Sequence, residues 1–271
     1  MKDRERVDLL LVKQGLFVSR EQAQRAVMAG EIFIGDQRVD KPGSKIDQET
    51  TLEFRGKKMP YVGRGGFKLE KALRCFPITV RDRFMLDIGA STGGFTDCAL
   101  QNGARAVYAL DVGYNQLAWK LRSDPRVIVM ERMNFRYATL DDFSEGPPDF
   151  ATIDVSFISL TKILPALRDI LKIGGDTIAL IKPQFEAGKD EVGKKGIVRD
   201  PAIHEAVLHS ILEFAEGHGF CVCGLDYSPI TGGDGNIEFL AWLKNGLDET
   251  VQFNWEKAIP EVVALAHQSL K

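Results

Sequence analysis

The chain has 271 residues, 44% of them hydrophobic and 27% charged, with a formal net charge of −3 and four cysteines. These figures suit a soluble globular protein of one large or two smaller domains, long enough to bury a sizeable core. They exclude a membrane-spanning helix, since no run of about 18 apolar residues occurs, and a disulfide framework, since Cys75, Cys98, Cys221 and Cys223 are too few in a chain this long. The N-terminal MKDRERVDLL lacks the apolar stretch of a signal peptide, so a reducing cytoplasm is the expected compartment. Charge is unevenly spread. Residues 1–80 hold 16 Lys/Arg against 11 Asp/Glu, a balance of +5, which leaves −8 on the rest. Anion-binding surface is therefore expected near the N-terminal end.

In chain order, Val7, Leu10 and Leu11 recur at helical spacing up to Gly15. Ser19 with Gln22 three residues on reads as a capping box that opens a second helix through Ala29, and Gly30 ends it. Residues 31–46 read as short strands joined at Gly35-Asp36 and turned at Pro42-Gly43, with another strand at 51–54. A first domain is expected over residues 1–58. The Gly-rich, basic stretch that follows shows no periodicity, and its end, residues 59–66, is read as a linker.

From residue 67 to 271 the pattern changes to helices alternating with apolar runs. Strands are expected at 84–88, 106–110, 127–130, 150–153, 177–181, 221–227 and 239–244, with helices between them, notably at 160–171 and 201–217. That alternation predicts an α/β domain with a mostly parallel seven-stranded sheet covered on both faces. Ligands bind such sheets beyond the carboxyl ends of the strands.

The segment Asp87-Ile88-Gly89-Ala90-Ser91-Thr92-Gly93-Gly94-Phe95-Thr96 follows an apolar strand and opens a helix, and its glycines let backbone approach a ligand closely. Its spacing is not G-x-G-x-x-G, and no Walker sequence is present, which weakens dinucleotide and triphosphate readings. Asp111 ends the next strand, where a carboxylate can accept both hydroxyls of an adenosyl ribose, and Asn134 follows the third, placed to border an adenine. Together these predict a Rossmann-like site for S-adenosyl-L-methionine, made of Asp87, Gly89, Ala90, Ser91, Gly93, Gly94, Phe95, Asp111, Val112, Asn134 and Asp154, with Asp87 on the amino-acid end of the cofactor.

Asp154 ends the fourth strand in Ile153-Asp154-Val155-Ser156-Phe157. The Asn/Asp-Pro-Pro-aromatic sequence of amino-group methyltransferases is missing here, and so is the cysteine nucleophile a base-carbon methyltransferase needs. Lys182 ends the fifth strand, and a lysine there is costly unless paired; the neighbouring strand offers Asp154. The four histidines, His204, His209, His218 and His267, show no metal-ligand spacing, and a sulfonium donor demands no metal. Cys221-x-Cys223 lies in a strand-like run and reads as packing.

Residues 6–43 resemble the small RNA-binding module shared by ribosomal protein S-four and pseudouridine synthases. The remainder is similar to the FtsJ-type ribose methyltransferases, clearest in GRGGFKLEKAL, DIGASTGGFTD, DVSFISL, IKPQFE and NIEFL. The combination resembles the TlyA family of ribosomal-RNA 2′-O-methyltransferases, often labelled haemolysins. That resemblance implies a catalytic Lys-Asp-Lys-Glu tetrad at Lys68, Asp154, Lys182 and Glu238, a cytidine ribose as substrate, and ribosomal RNA or ribosomal subunits as partner. Lys182 then acts as base if burial and the second lysine keep it neutral, or stabilises the alkoxide if it stays charged. Arg4, Arg6, Ser19, Arg20, Arg25 and Lys41 are the candidate RNA contacts of the N-terminal module. Lys194, Lys195 and Arg199 are those of the Gly-rich loop at 186–200. Two alternatives stand beside this reading: a ribosome-associated RNA-binding protein with little catalysis, and a haemolysin. An intact tetrad speaks against the first, and the missing signal peptide and spanning helix against the second.

Overall fold

The computed structural model describes residues 3–17, 19–56, 59–193, 195–248 and 250–270, in two units that divide between Pro60 and Tyr61. In the first, β1 (Arg4–Arg6) leads into α1 (Val7–Lys13), whose Val7, Leu10 and Leu11 fall on one face and are buried. The Ser19 hydroxyl accepts from the backbone N–H of Gln22 at 3.3 Å and so opens α2 (Arg20–Met28). The expected strands form as short pieces: β2 (Ile32–Ile34), β3 (Gln37–Arg38), β4 (Lys45–Asp47) and β5 (Glu53–Phe54). The hairpin turns at Gly35, φ +54°, and β5 pairs with the other edge of β2. By contrast, β4 pairs with β1. Ala23, Val27, Ile32 and Leu52 complete this small core.

The second unit begins before the first strand of its sheet. Residues 59–66 were expected to link domains, yet Tyr61 is buried and its hydroxyl donates to Glu70 Oε1 at 2.9 Å. The Val62 N–H donates to Asp97 Oδ2 at 2.9 Å. Glycine and basic residues conceal this packing in the sequence, because the anchors are one aromatic ring and one main-chain amide.

After α3 (Gly66–Cys75) come β6 (Phe84–Ile88), α4 (Gly94–Gln101), β7 (Ala106–Asp111), α5 (Trp119–Arg122), β8 (Val127–Glu131) and β9 (Phe150–Ile153). Then follow α6 (Leu164–Ile170), β10 (Asp176–Ile181), α7 (Pro183–Glu186), α8 (Pro201–Gly217), β11 (Phe220–Tyr227), β12 (Phe239–Asn245) and α9 (Trp255–Ser269). The sheet has seven strands in the order β11-β12-β10-β9-β6-β7-β8, parallel except for β12, which runs against both its neighbours. Each apolar strand alternates between two buried faces. Leu86, Ile88, Leu110 and Ile181 pack with α6, α8 and α9, while Met85, Val107, Ile178 and Leu180 pack with Leu69 of α3 and Ala99 of α4.

Two consequences of the topology position the site. The chain runs outward from β6 to β8 and returns to the opposite side of β6 as β9, which opens a crevice at the carboxyl ends of β6 and β9. Because β12 is antiparallel, Phe239 at its start pairs with Ile181 at the end of β10. The residue before β12 and the residue after β10 therefore meet on the same edge. Among the described residues no helix is long and apolar enough to cross a membrane, and the four cysteines are free.

Candidate active site

A cleft of about 620 Å³ opens at that crevice. Lys68 enters it from the first turn of α3, Asp154 from the end of β9, Lys182 from the end of β10 and Glu238 from the start of β12. Asp154 Oδ2 lies 3.1 Å from Lys68 Nζ and its Oδ1 lies 2.5 Å from Lys182 Nζ. Lys68 Nζ also stands 2.8 Å from Glu238 Oε2, and Lys182 Nζ donates to Ser156 Oγ at 3.2 Å. The result is an alternating chain of charges, Lys182–Asp154–Lys68–Glu238, with no net charge. Both lysine side chains are less than a tenth exposed, against 16% for Asp154. Charges this withdrawn from water persist only when paired.

The electrostatics follow from the pairing. Burial alone would raise the Asp154 carboxyl, but the ammonium groups of Lys68 and Lys182 outweigh it and hold it below the usual carboxylate range. Burial likewise works against the Lys68 charge, but Asp154 and Glu238 reverse it and raise the group above its ordinary value. Lys68 sits between two carboxylates, whereas Lys182 closes the chain with one.

The glycine-rich turn forms the opposite wall, through Gly89, Ala90, Ser91, Thr92, Gly94 and Phe95. Gly89 has φ +86°, and a Cβ there would stand 2.6 Å from the Asp154 carbonyl oxygen, so glycine is what lets β6 and β9 end side by side. A Cβ on Gly94 would fall 2.9 Å from the Gly66 nitrogen, because residues 63–66 cross over the start of α4. Arg64 and Gly65 of that crossing line the cleft as well. The stretch read as linker thus forms part of the wall and delivers Lys68.

The remaining expected cofactor residues divide. Asp87 is wholly buried, with Oδ2 accepting from the Thr96 N–H at 3.1 Å and Oγ1 at 2.6 Å, and Oδ1 accepting from Thr152 Oγ1 at 2.9 Å. The even position in β6 turns it toward α4, where burial pushes its carboxyl up to about 6 against those hydrogen bonds. It fixes the turn from beneath. Gly93, φ +95°, faces away from the cleft, where a Cβ would strike Leu121 Cδ1 at 2.2 Å. Asp111, Val112 and Asn134 lie outside the cleft lining, at the ends of β7 and β8. Asp111 accepts from the Ser91 N–H at 2.8 Å and the Gly113 N–H at 2.7 Å, which joins the end of β7 to the turn. Asn134 caps a short turn by accepting from the Arg136 N–H at 3.1 Å.

Asn236 escaped the sequence reading. Buried at the cleft edge, it accepts from the Val198 N–H at 3.0 Å and donates to the Gly196 carbonyl at 2.9 Å. It thereby ties the loop carrying Lys195 to the turn before Glu238. His204 Nε2 holds the same loop at the Val198 carbonyl, 3.2 Å, while its Nδ1 meets His267 Nε2 at 3.0 Å. Burial and then His267 push His204 down to about 4. Lys195 lines the cleft and Arg199 is exposed; Lys194 lies outside the described residues.

The basic residues proposed for the first unit are mostly exposed, as Arg4, Arg25 and Lys41 show. Arg6 donates to both oxygens of Asp8 at 2.9 Å, and Arg20 Nε donates to Oδ2 at 2.9 Å. Gln24 adds a bond at 2.7 Å. Asp8 is wholly buried, and the Arg6 bond, working against burial, holds its carboxyl far below the usual range. Ser19 differs from the other expected contacts in that its oxygen also accepts the α2 cap bond, which leaves its O–H as a donor.

Residues 61–245 match the FtsJ-like methyltransferase family and residues 5–52 match the S4 domain. A Bacillus subtilis protein, YqxC, provisionally named an rRNA methyltransferase, is 59% identical over 99% of this chain and 96% of its own length. The 16S/23S rRNA (cytidine-2′-O)-methyltransferase TlyA of Mycobacterium tuberculosis is 42% identical over 93% of this chain and 94% of its own. A solved structure from Streptococcus thermophilus, which carries the name hemolysin, is 57% identical, covers 99% of this chain and 98% of its own, and superposes with a TM-score of 0.78.

Proposed function

This chain belongs to the FtsJ-like methyltransferases and carries an N-terminal S4 domain, and from that premise we propose that it transfers a methyl group from S-adenosylmethionine to the 2′-hydroxyl of a cytidine ribose in ribosomal RNA. The observation that carries the reading is the Lys182–Asp154–Lys68–Glu238 chain, at the carboxyl ends of β9 and β10 and facing a glycine-rich turn. Relatives named for cytidine 2′-O-methylation supply the nucleotide.

The residues present fit the cofactor. Gly89 and Gly94 line the cleft with backbone and no side chain, and Asp111 offers carboxylate oxygens at the ribose position. When bound there, S-adenosylmethionine supplies an activated methyl group. Gly89, Ala90, Ser91, Gly94 and Phe95 would hold its amino-acid portion, and Asp111, Val112 and Asn134 its adenosyl portion.

The protein must orient a poor nucleophile and stabilise the charge that develops on it. Lys68, fixed between Asp154 and Glu238, and Glu238 itself align the ribose. Lys182, held by Asp154 Oδ1 and Ser156 Oγ, keeps an N–H for the developing 2′-oxyanion. The hydroxyl proton becomes acidic as the new C–O bond forms and passes to water at the cleft mouth. Arg6 and Arg20, steadied by Asp8, hold structured RNA through its phosphates.

Lys182→Ala should lower single-turnover methylation of ribosomal subunits by about 10²–10³, with cofactor affinity by calorimetry largely kept. A folded Lys182→Ala protein that methylates at the normal rate would sink this mechanism.

A further inference from the structure

The edge formed by the ends of β7 and β8 carries side chains that neither core nor cleft uses. Among the described residues, eleven large hydrophobics are exposed, and four of them fall within residues 113–140. Tyr114, Trp119 and Tyr137 are 65%, 77% and 69% exposed. Such crowding of aromatics on one edge marks an interaction surface.

Its charge says which kind. Residues 112–137 hold five Lys/Arg against two Asp/Glu, inside a part of the chain that is otherwise acidic. Glu131 neutralises Arg122, and Asp124 pairs with Arg126 at 2.7 Å. Arg132 and Arg136 pair with no carboxylate among the described residues. Their guanidinium groups lie instead over aromatic rings, Arg132 at 4.1 Å from the Tyr114 centroid and Arg136 at 5.4 Å from that of Tyr137.

The arrangement is also held in place. Arg132 adopts φ +58°, unfavourable for a residue with a Cβ. Its N–H donates to the Gly113 carbonyl at 3.0 Å, and the Met133 N–H to the Asp111 carbonyl at 3.1 Å. These bonds lock the exit of β8 to that of β7 and keep Arg132 above Tyr114. On the cleft side, the Ala118 N–H donates to the carbonyl of Thr92, a cleft residue, at 3.2 Å, which sets Trp119 at the rim.

We propose that this edge is a second RNA-binding surface, which takes unpaired nucleotides flanking the methylated ribose. Bases stack on Trp119, Tyr137 and Tyr114, and phosphates meet Arg132 and Arg136. A protein partner would satisfy the aromatics but offer no regular match to guanidiniums lying over rings, whereas a single strand presents a π face and a negative charge at every nucleotide. This inference rests on the reading of the chain as an RNA methyltransferase.

The test measures binding of a labelled single-stranded oligoribonucleotide to the full chain across a salt series, beside cofactor binding by calorimetry. Trp119→Ala and Tyr137→Ala should each weaken oligonucleotide binding by about tenfold. Arg132→Gln with Arg136→Gln should lower the salt slope by about 1.4, the value for two phosphates of a single strand. Arg132→Lys with Arg136→Lys should restore the slope, which excludes misfolding as the cause. Cofactor affinity should not move in any of them. Unchanged oligonucleotide affinity and slope would overturn the proposal, and so would a matching loss of cofactor affinity, which assigns the edge to the adenosyl group. No turnover is needed, so a wild-type chain that binds the oligonucleotide but leaves ribosomal RNA unmethylated would fault the functional reading and spare the surface.

Discussion

Asp8 in the first unit and Asp154 in the second are alike in gathering two cations each around one carboxylate. Arg6 and Arg20 reach Asp8 with side chains 38% and 46% exposed, so they are anchored at one end and free to meet solvent at the other. Lys68 and Lys182 reach Asp154 with side chains almost wholly withdrawn from water. Arginine spreads its charge over a planar fork, which can hold a carboxylate and still present donors to a phosphate. Lysine concentrates its charge at one atom, which suits a single reacting oxygen. In the function proposed above, the same motif of an acid between two bases serves to hold RNA in one unit and to act on a hydroxyl in the other, and exposure makes the difference.

That comparison can be broken or sharpened by removing each acid in turn. Asp154→Ala strands the Lys182 ammonium in a poorly hydrated cleft and leaves Lys68 with Glu238 alone, and the second unit should lose about 3 kcal/mol, together with nearly all methyl transfer. Urea unfolding checks the first and single-turnover kinetics the second. Stability within experimental error of wild type would mean that the two lysines are solvated, and the contrast with Asp8 would collapse.

A buried base should answer to pH rather than to partner loss. His204 titrates near 6.5 in an unfolded chain but is pushed down to about 4 in the folded one, by burial and His267. The folded state therefore resists a proton that the unfolded state accepts. Stability is complete above about 6.5 and declines as pH falls toward 4. Relative to His204→Gln, which cannot titrate, the wild-type protein should lose roughly 2 kcal/mol between about pH 7.5 and about pH 5. Parallel unfolding curves for the two proteins across that range would show that His204 is hydrated.

Asp111 stands between the two extremes, a carboxylate whose partners are backbone amides rather than cations. Asp111→Ala should weaken S-adenosylmethionine binding by roughly 1.5–3 kcal/mol, the range for charge-assisted hydrogen bonds. A calorimetric titration that gives the wild-type affinity in a folded protein would move the ribose contact to another residue.

The smallest effect on stability is expected at Asp8. Asp8→Ala releases Arg6 and Arg20 into water, where each is comfortable, so the first unit should lose only about 1 kcal/mol. Binding of ribosomal RNA should nevertheless weaken, because the arginines lose their fixed direction, while the rate at saturating RNA stays as it was. A fall in that saturated rate, measured by single turnover, would tie the first unit to chemistry as well as to affinity.

Much of this architecture was legible from local pattern. Apolar runs of four to six residues marked the strands from β6 to β10, and the polar residues closing them, Asp111, Asp154 and Lys182, fell at the carboxyl edge because a parallel α/β sheet gathers its strand ends there. Lys68 and Glu238 were reached only by resemblance, since nothing local distinguishes a lysine in the first turn of a helix or a glutamate before a strand.

What the sequence by itself determined is each element and which of its residues face inward, since periodicity of 2 or 3.6 is a property of the chain within one element. Only the tertiary structure decided which inward residues meet. The antiparallel insertion of β12 beside β10 brings Glu238 to the edge that Lys182 occupies, and the crossing of residues 63–66 over Gly94 turns an expected linker into a cleft wall. Asp87 shows the same limit from the other side: its place at a strand end says nothing of direction, and the pleat points it at Thr96 and Thr152. The physical reason is common to all three. Hydrophobic pattern encodes burial, which has no direction, whereas a polar contact depends on strand order, strand direction and pleat, which are set when the elements pack.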